Sequence, residues 1–73
     1  MNQKRISTLF ALAVVLGAWR GYLALYAPGA AEPKQIFPTR IETLPLADQA
    51  ALEEGILVRN EQKLQSLLED YLS

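Results

Sequence analysis

The sequence predicts a small α+β protein: an N-terminal hydrophobic helix followed by a ββαα module, in which a β-hairpin is packed by two short helices. Three observations predict it. A long uncharged run follows two basic residues near the start, residues 6 to 19, "ISTLFALAVVLGAW". Two short stretches that alternate in polarity flank a Pro-Gly turn signal. Two further stretches then space their apolar residues as helices do and carry end signals.

The uncharged run is fourteen residues long and follows Lys4 and Arg5, the basic and apolar order of an export signal. As a helix it would reach roughly 21 Å at ~1.5 Å per residue, short of a ~30 Å hydrocarbon core. Length therefore favours a cleaved signal peptide, but no good small-residue cleavage site ends the run. The preferred reading is a retained anchor built on Ile6, Leu9, Phe10, Leu12, Val14, Val15, Leu16 and Trp19, with Trp19 at the far interface and Arg20 reaching the head groups. A buried soluble helix is the lesser option, because the run is apolar nearly all round. Positive charge ahead of it predicts the N-terminus inside the cytoplasmic membrane and the rest outside, or a secreted chain if the signal is cleaved. The expected division is residues 1–21 as signal or anchor and 22–73 as the folded module.

In the module, Tyr22, Ala24 and Tyr26 alternate with Leu23 and Leu25, as a strand requires. Residues 28 to 33 supply the loop, and residues 35 to 41 return as the partner strand. Pro38 lacks a donor and so belongs on an edge. A lone hairpin is marginal in water and needs a helix against one face. "LPLADQAALEEG" provides one, with Pro45 tolerated in the first turn, Thr43 as the nearest capping side chain and Gly55 as the stop, Ile56 folding back beyond it. Leu44, Ala47, Ala51 and Leu52 form its narrow apolar face. Leu57 and Val58 are candidates for a short third strand. Asn60 then caps a second helix whose Leu64, Leu67, Leu68, Tyr71 and Leu72 share one stripe.

Charge and composition narrow the function. The 73 residues carry a net charge of −1. It divides into Lys4, Arg5 and Arg20 with no acid in residues 1–21, and four basic against eight acidic side chains in residues 22–73. An acidic module without a basic, aromatic-interleaved face is a poor nucleic-acid binder. With no histidine and no cysteine, the commonest metal ligands and the usual general base are missing, and no metal or cofactor is expected. Glu53 and Glu54 are neighbours on a helix and point about 100° apart, so they do not form a carboxylate pair; Glu69 and Asp70 fail in the same way. The four glycines are scattered and make no phosphate loop. No catalytic residue is expected.

Recognition is what remains. Trp19, Tyr22, Tyr26 and Phe37 can act either as core or as an aromatic contact surface. Glu69 and Asp70 oppose the dipole of the last helix, which suits a solvated end or a basic neighbour. Tyr22, Tyr26, Glu69 and Asp70 are therefore the candidate partner surface.

The order "GYLALY", a Pro-rich gap, "RIETLP", "LEEGI" and "LQSLLEDYLS" resembles the C-terminal domain of the bypass-of-forespore-C (BofC) family of endospore-forming bacteria, over roughly residues 20 to 73. Leu44-Pro45, Leu52 with Gly55-Ile56, and Leu67-Leu68-Glu69-Asp70-Tyr71 carry most of the likeness. The resemblance implies a non-enzymatic, secreted or membrane-tethered regulator; the founding protein acts in the forespore on the protease signal of the sigma-K checkpoint. A protein partner at or outside the cytoplasmic membrane, such as a signalling protease, follows from it. The founding type has an additional N-terminal domain, whereas here the hydrophobic segment runs almost directly into Tyr22. The rival expectation is a small structural subunit of a membrane complex, with Ala11, Ala13, Gly17 and Ala18 as a helix-packing face.

Overall fold

The computed structural model describes residues 13–72. Its elements run β1 (Val14–Trp19), β2 (Tyr22–Tyr26), β3 (Gln35–Arg40), a 3-10 turn (Ile41–Thr43), α1 (Leu46–Glu54), β4 (Ile56–Val58) and α2 (Glu61–Leu72). The fold is α+β: one four-stranded antiparallel sheet, in the order β3-β2-β1-β4, with two helices.

The largest departure from the sequence reading is β1. Val14, Val15, Leu16 and Trp19 do not continue a hydrophobic helix; they form a strand in the interior of the sheet, with β2 on one side and β4 on the other. Both signals in the sequence admit this outcome. A strand with neighbours on both sides and side chains covered on both faces reads as an unbroken apolar run, as a membrane segment does. Paired β-branched residues at its start favour the extended form. Ile6, Leu9, Phe10 and Leu12 lie outside the described residues. Among the described residues, no helix is long and apolar enough to cross a membrane. The sheet thus takes in residues ahead of the boundary expected at 21/22.

β1 and β2 join through Arg20-Gly21, where φ is +51° and +88°. Two successive positive φ values are what a type I′ hairpin turn demands, and Gly21 meets that demand without a Cβ clash. The pairing that follows sets Trp19 against Tyr22, Ala18 against Leu23, Gly17 against Ala24, Leu16 against Leu25 and Val15 against Tyr26. The second connection holds the expected Pro-Gly turn: Ala30 N–H donates to Ala27 O (3.1 Å) and Gly29 has φ +78°. Pro38 sits in β3, an edge strand, and the register with β2 shifts between Tyr22 and Ala24. Both agree with a residue that cannot donate to a ladder.

Alternation sends Val14, Leu16, Leu23 and Leu25 to one face, where they join Phe37, Ile41, Leu52, Val58, Leu64 and Tyr71 in a single core cluster. Leu16, Leu23, Leu52, Val14 and Val58 are essentially sealed from water. The structure leaves no buried polar side chain without a partner among the described residues. Leu67 and Leu68 pack at the margin of the cluster, but Leu72, placed on the same stripe by spacing, stays 44% exposed at the helix end.

The helix ends follow the sequence with two corrections. Pro45 precedes α1 as its N-cap and lies one residue before the first turn. Thr43 does not cap α1: its hydroxyl donates to Arg40 O (2.7 Å) inside the 3-10 turn, and Gln49 Nε2 instead ties the entry by donating to Leu44 O (2.7 Å). Gly55 stops the helix at φ +93°, its N–H reaching Ala51 O (3.0 Å) and Leu52 O (3.2 Å). Asn60 caps α2, its Oδ1 accepting from Lys63 N–H at 2.7 Å. The suspected extra strand exists as β4, pairing Ile56 with Leu16 and Val58 with Val14.

Candidate functional site

The side chains that alternate away from the core form a second face of the sheet: Val15, Gly17 and Trp19 of β1, and Tyr22, Ala24 and Tyr26 of β2. Ile36 (51% exposed) and Leu57 (47% exposed) extend it on the flanking strands, opposite Ala24 and Val15. Its middle is thin. A Cβ on Gly17 would stand 3.3 Å from both the Leu52 carbonyl oxygen and Tyr26 Cε1. The absence of a side chain there lets the end of α1 and the Tyr26 ring close on β1.

Tyr26 is committed to this packing. Its ring lies against Gly17 and its hydroxyl donates to Ala18 O at 2.6 Å. Around it opens a shallow cleft of about 200 Å³, lined in part by Val15, Gly17, Gly29, Glu53 and Glu54. Two carboxylates on its rim give that end of the face an acidic edge.

The opposite end, beside the Arg20-Gly21 turn, has a different chemistry. Trp19 and Tyr22 are directly opposed across the hairpin and half-buried. The Arg20 guanidinium stands 5.0 Å over the Trp19 ring, and the Arg40 guanidinium 5.4 Å over the Tyr22 ring, within cation–π reach. Ile41 N–H donates to Gly21 O (2.8 Å) and holds β3 against the turn. The result is a row across three strands: Arg20, Trp19, Tyr22, Arg40. Arg40 Nε also meets Glu42 Oε2 at 3.3 Å, a pair that is more than half exposed on both sides and so adds little to stability.

Of the residues expected to face a partner, Tyr22 lies in this row and Tyr26 is inward-committed. Glu69 and Asp70 are exposed in the last turn of α2, whose Leu64 and Tyr71 belong to the core cluster on the other side of the sheet. The two pairs are therefore not one surface. Arg20 and Arg40 were missed by sequence reasoning: the first was assigned to a membrane end, and the second gains meaning only from its pairing with Tyr22. The motif residues Pro45, Leu52, Gly55, Ile56, Leu64, Leu67, Leu68 and Tyr71 serve the fold, as caps, strand start and core.

Tyr71 is the one described group whose ionisation is clearly perturbed. Burial comes first, with the charges of Asp48 and Asp70 adding to it, and together they raise its phenol above the ordinary value of 10.0. Among the described residues, no group of three or more potential carboxylate, thiol or imidazole ligands is gathered to hold a metal ion. The arrangement offers aromatic contact area and two guanidinium groups on one exposed edge.

The chain was compared with known protein families, curated proteins and solved structures. None of them matches it.

Proposed function

We propose that this chain is a small non-enzymatic interaction module, exported or held at the cytoplasmic membrane, that regulates a protein partner by binding it. The observation that carries the reading is the Trp19–Tyr22 pair, two large aromatics half-open on a sheet face turned away from the core. Tyr and Trp give extensive contact area at low entropic cost, which is why they recur at the centres of protein interfaces. The resemblance of residues 20 to 73 to the BofC C-terminal domain supports the same class, and carries with it the suggestion of a signalling protease as partner and of sporulation as the setting.

The membrane part of the reading rests on sequence. With Val14–Trp19 in the sheet, the uncharged run left ahead of it is residues 6–13, eight residues against the ~20 that a spanning helix wants. Lys4, Arg5 and this shorter run support export or surface attachment. Gly17 and Ala18, half of the small-residue face that motivated a structural membrane subunit, are strand residues, and no specific observation favours that rival.

The test is a photoreactive residue in place of Tyr22 in the full chain, used to crosslink in native growing and sporulating cells. Tyr22 is the better site than Tyr26, whose hydroxyl is taken by Ala18. The expected result is one exported or membrane protein, captured at Tyr22 and not from an exposed control such as Gln62, whose activity changes when the chain is deleted. Recovery of the chain from the cytosol, or turnover of a substrate by the purified chain alone, would contradict the reading.

A further inference from the structure

The charges of the described chain are segregated along the sequence. Residues 13–40, which hold the three long strands, carry Arg20, Lys34 and Arg40 against Glu32 alone; residues 41–72 carry Arg59 and Lys63 against seven carboxylates. The basic side gathers two of its three cations at one place, the row in which Arg20 and Arg40 bracket Trp19 and Tyr22. Arg40 donates from Nη1 to the Tyr22 hydroxyl (3.5 Å) and pairs through Nε with Glu42, yet a guanidinium carries five N–H donors, so it and the exposed Arg20 retain capacity for a further acceptor.

We propose that this row docks an acidic segment of a partner protein, its carboxylates on the Arg20 and Arg40 guanidinium groups and an apolar side chain over the Trp19–Tyr22 pair. The inference rests on the interaction-module reading and specifies its partner's chemistry.

Two observations select an acidic protein segment over other anionic surfaces. A carboxylate already uses part of the site: Glu42 Oε2 sits 3.3 Å from Arg40 Nε, in an exposed pair that an incoming carboxylate can displace or share. The chain direction supplies the second. The residues that precede β1 enter the sheet at Val14, whereas Trp19 ends the strand, about 17 Å away at ~3.3 Å per residue. The basic row thus lies at the end of β1 away from Val14, and the acidic rim of the cleft lies toward the other end of the face. The end near Val15 also carries Glu53 and Glu54 beside the cleft, which disfavours laying the whole face on anionic lipid.

Trp19 is the chain's single tryptophan and reports directly on the site. The experiment titrates the full chain with a glutamate-rich peptide containing one phenylalanine, and follows Trp19 emission. Saturable change is expected, abolished when the glutamates are replaced by glutamine. Arg20→Gln with Arg40→Gln should weaken binding at least about tenfold, whereas Arg59→Gln, on the other side of the charge divide, should leave it within about twofold. Glu42→Gln should tighten binding several-fold by freeing Arg40, an outcome that a purely structural role for the Arg40–Glu42 pair does not produce. Equal binding of the glutamine peptide, or weaker binding by Glu42→Gln, overturns the proposal. So does an emission change with phosphatidylglycerol vesicles and none with the peptide, which would assign the row to a bilayer. An emission change that depends on protein concentration without peptide would assign it to a second copy of the chain and overturn it as well. If the peptide fails while the Tyr22 crosslink still captures its exported protein, the acidic chemistry is wrong and the interaction reading stands; if both fail, the reading itself falls.

Discussion

Gly55 concentrates three demands in one residue. It ends α1 at φ +93°, its N–H satisfies two carbonyls of the last turn, and an added Cβ would stand 3.0 Å from Val15 Cγ1. A β-branched residue is strained at positive φ and would also press on β1, so Gly55→Val should lower the unfolding free energy by more than ~1 kcal/mol in denaturant titration. Unfolding indistinguishable from wild type would remove Gly55 as the helix stop. Gly17 answers to space alone. Gly17→Ala puts a methyl 3.3 Å from the Leu52 carbonyl and the Tyr26 ring, and the cost expected from forcing them apart is ~1 kcal/mol or more. At this scale the sequence was readable where a residue type and its position agreed, as with Gly55, Asn60 and Pro38. It was not readable at Arg20-Gly21. Arg is not among the residues that announce a type I′ turn, and the basic side chain after a hydrophobic run suggested a membrane end more strongly than a hairpin.

Elements show why the N-terminal reading diverged. Residues 6 to 19 are uncharged and, beyond Ser7 and Thr8, apolar throughout, and periodicity cannot separate a membrane helix from a strand enclosed in a sheet. The information that decides lies elsewhere in the chain: β1 needs β2 and β4 beside it, and β4 is only three residues long. The hairpin of β2 and β3, α1 and α2 were legible because alternation, helical spacing and end signals each fell within one segment. Asn60 tests the last of these, and Asn60→Ala should cost about 1 kcal/mol of stability through loss of the 2.7 Å cap to Lys63 N–H. Tyr71 tests how α2 is seated. Its phenol is raised by burial and by Asp48 and Asp70, so the folded state holds the proton after the unfolded chain has released it. In that window the unfolded state binds fewer protons, and stability falls as pH rises. The contribution is full below the ordinary tyrosine value of 10.0 and is lost as pH climbs through the higher folded value. Tyr71→Phe should flatten this alkaline loss in pH-dependent unfolding; an unchanged slope would mean that the phenol is not held neutral by the core.

For the whole molecule, the order β3-β2-β1-β4 places the paired Trp19 and Tyr22 at one end of the sheet and the carboxylates of α1 near the other. That layout was not legible in advance. A net charge of −1 conceals it, and the sequence half that reads as acidic contains Arg40, which the fold carries over the Tyr22 ring, across the aromatic pair from Arg20. The functional candidate was half visible for the same reason: Tyr22 could be chosen as an aromatic on a strand, but its neighbours are set by register. Everything distinctive in the surface depends on Val14–Trp19 being a strand. The direct measurement is solution NMR of the full chain without lipid or detergent. A strand at residues 14–19 predicts extended Cα shifts there and Hα–Hα contacts between Leu16 and Leu25 and between Ala18 and Leu23. Helical shifts with contacts from each residue to the third beyond it through the same stretch would contradict it, and would return these residues to the hydrophobic helix.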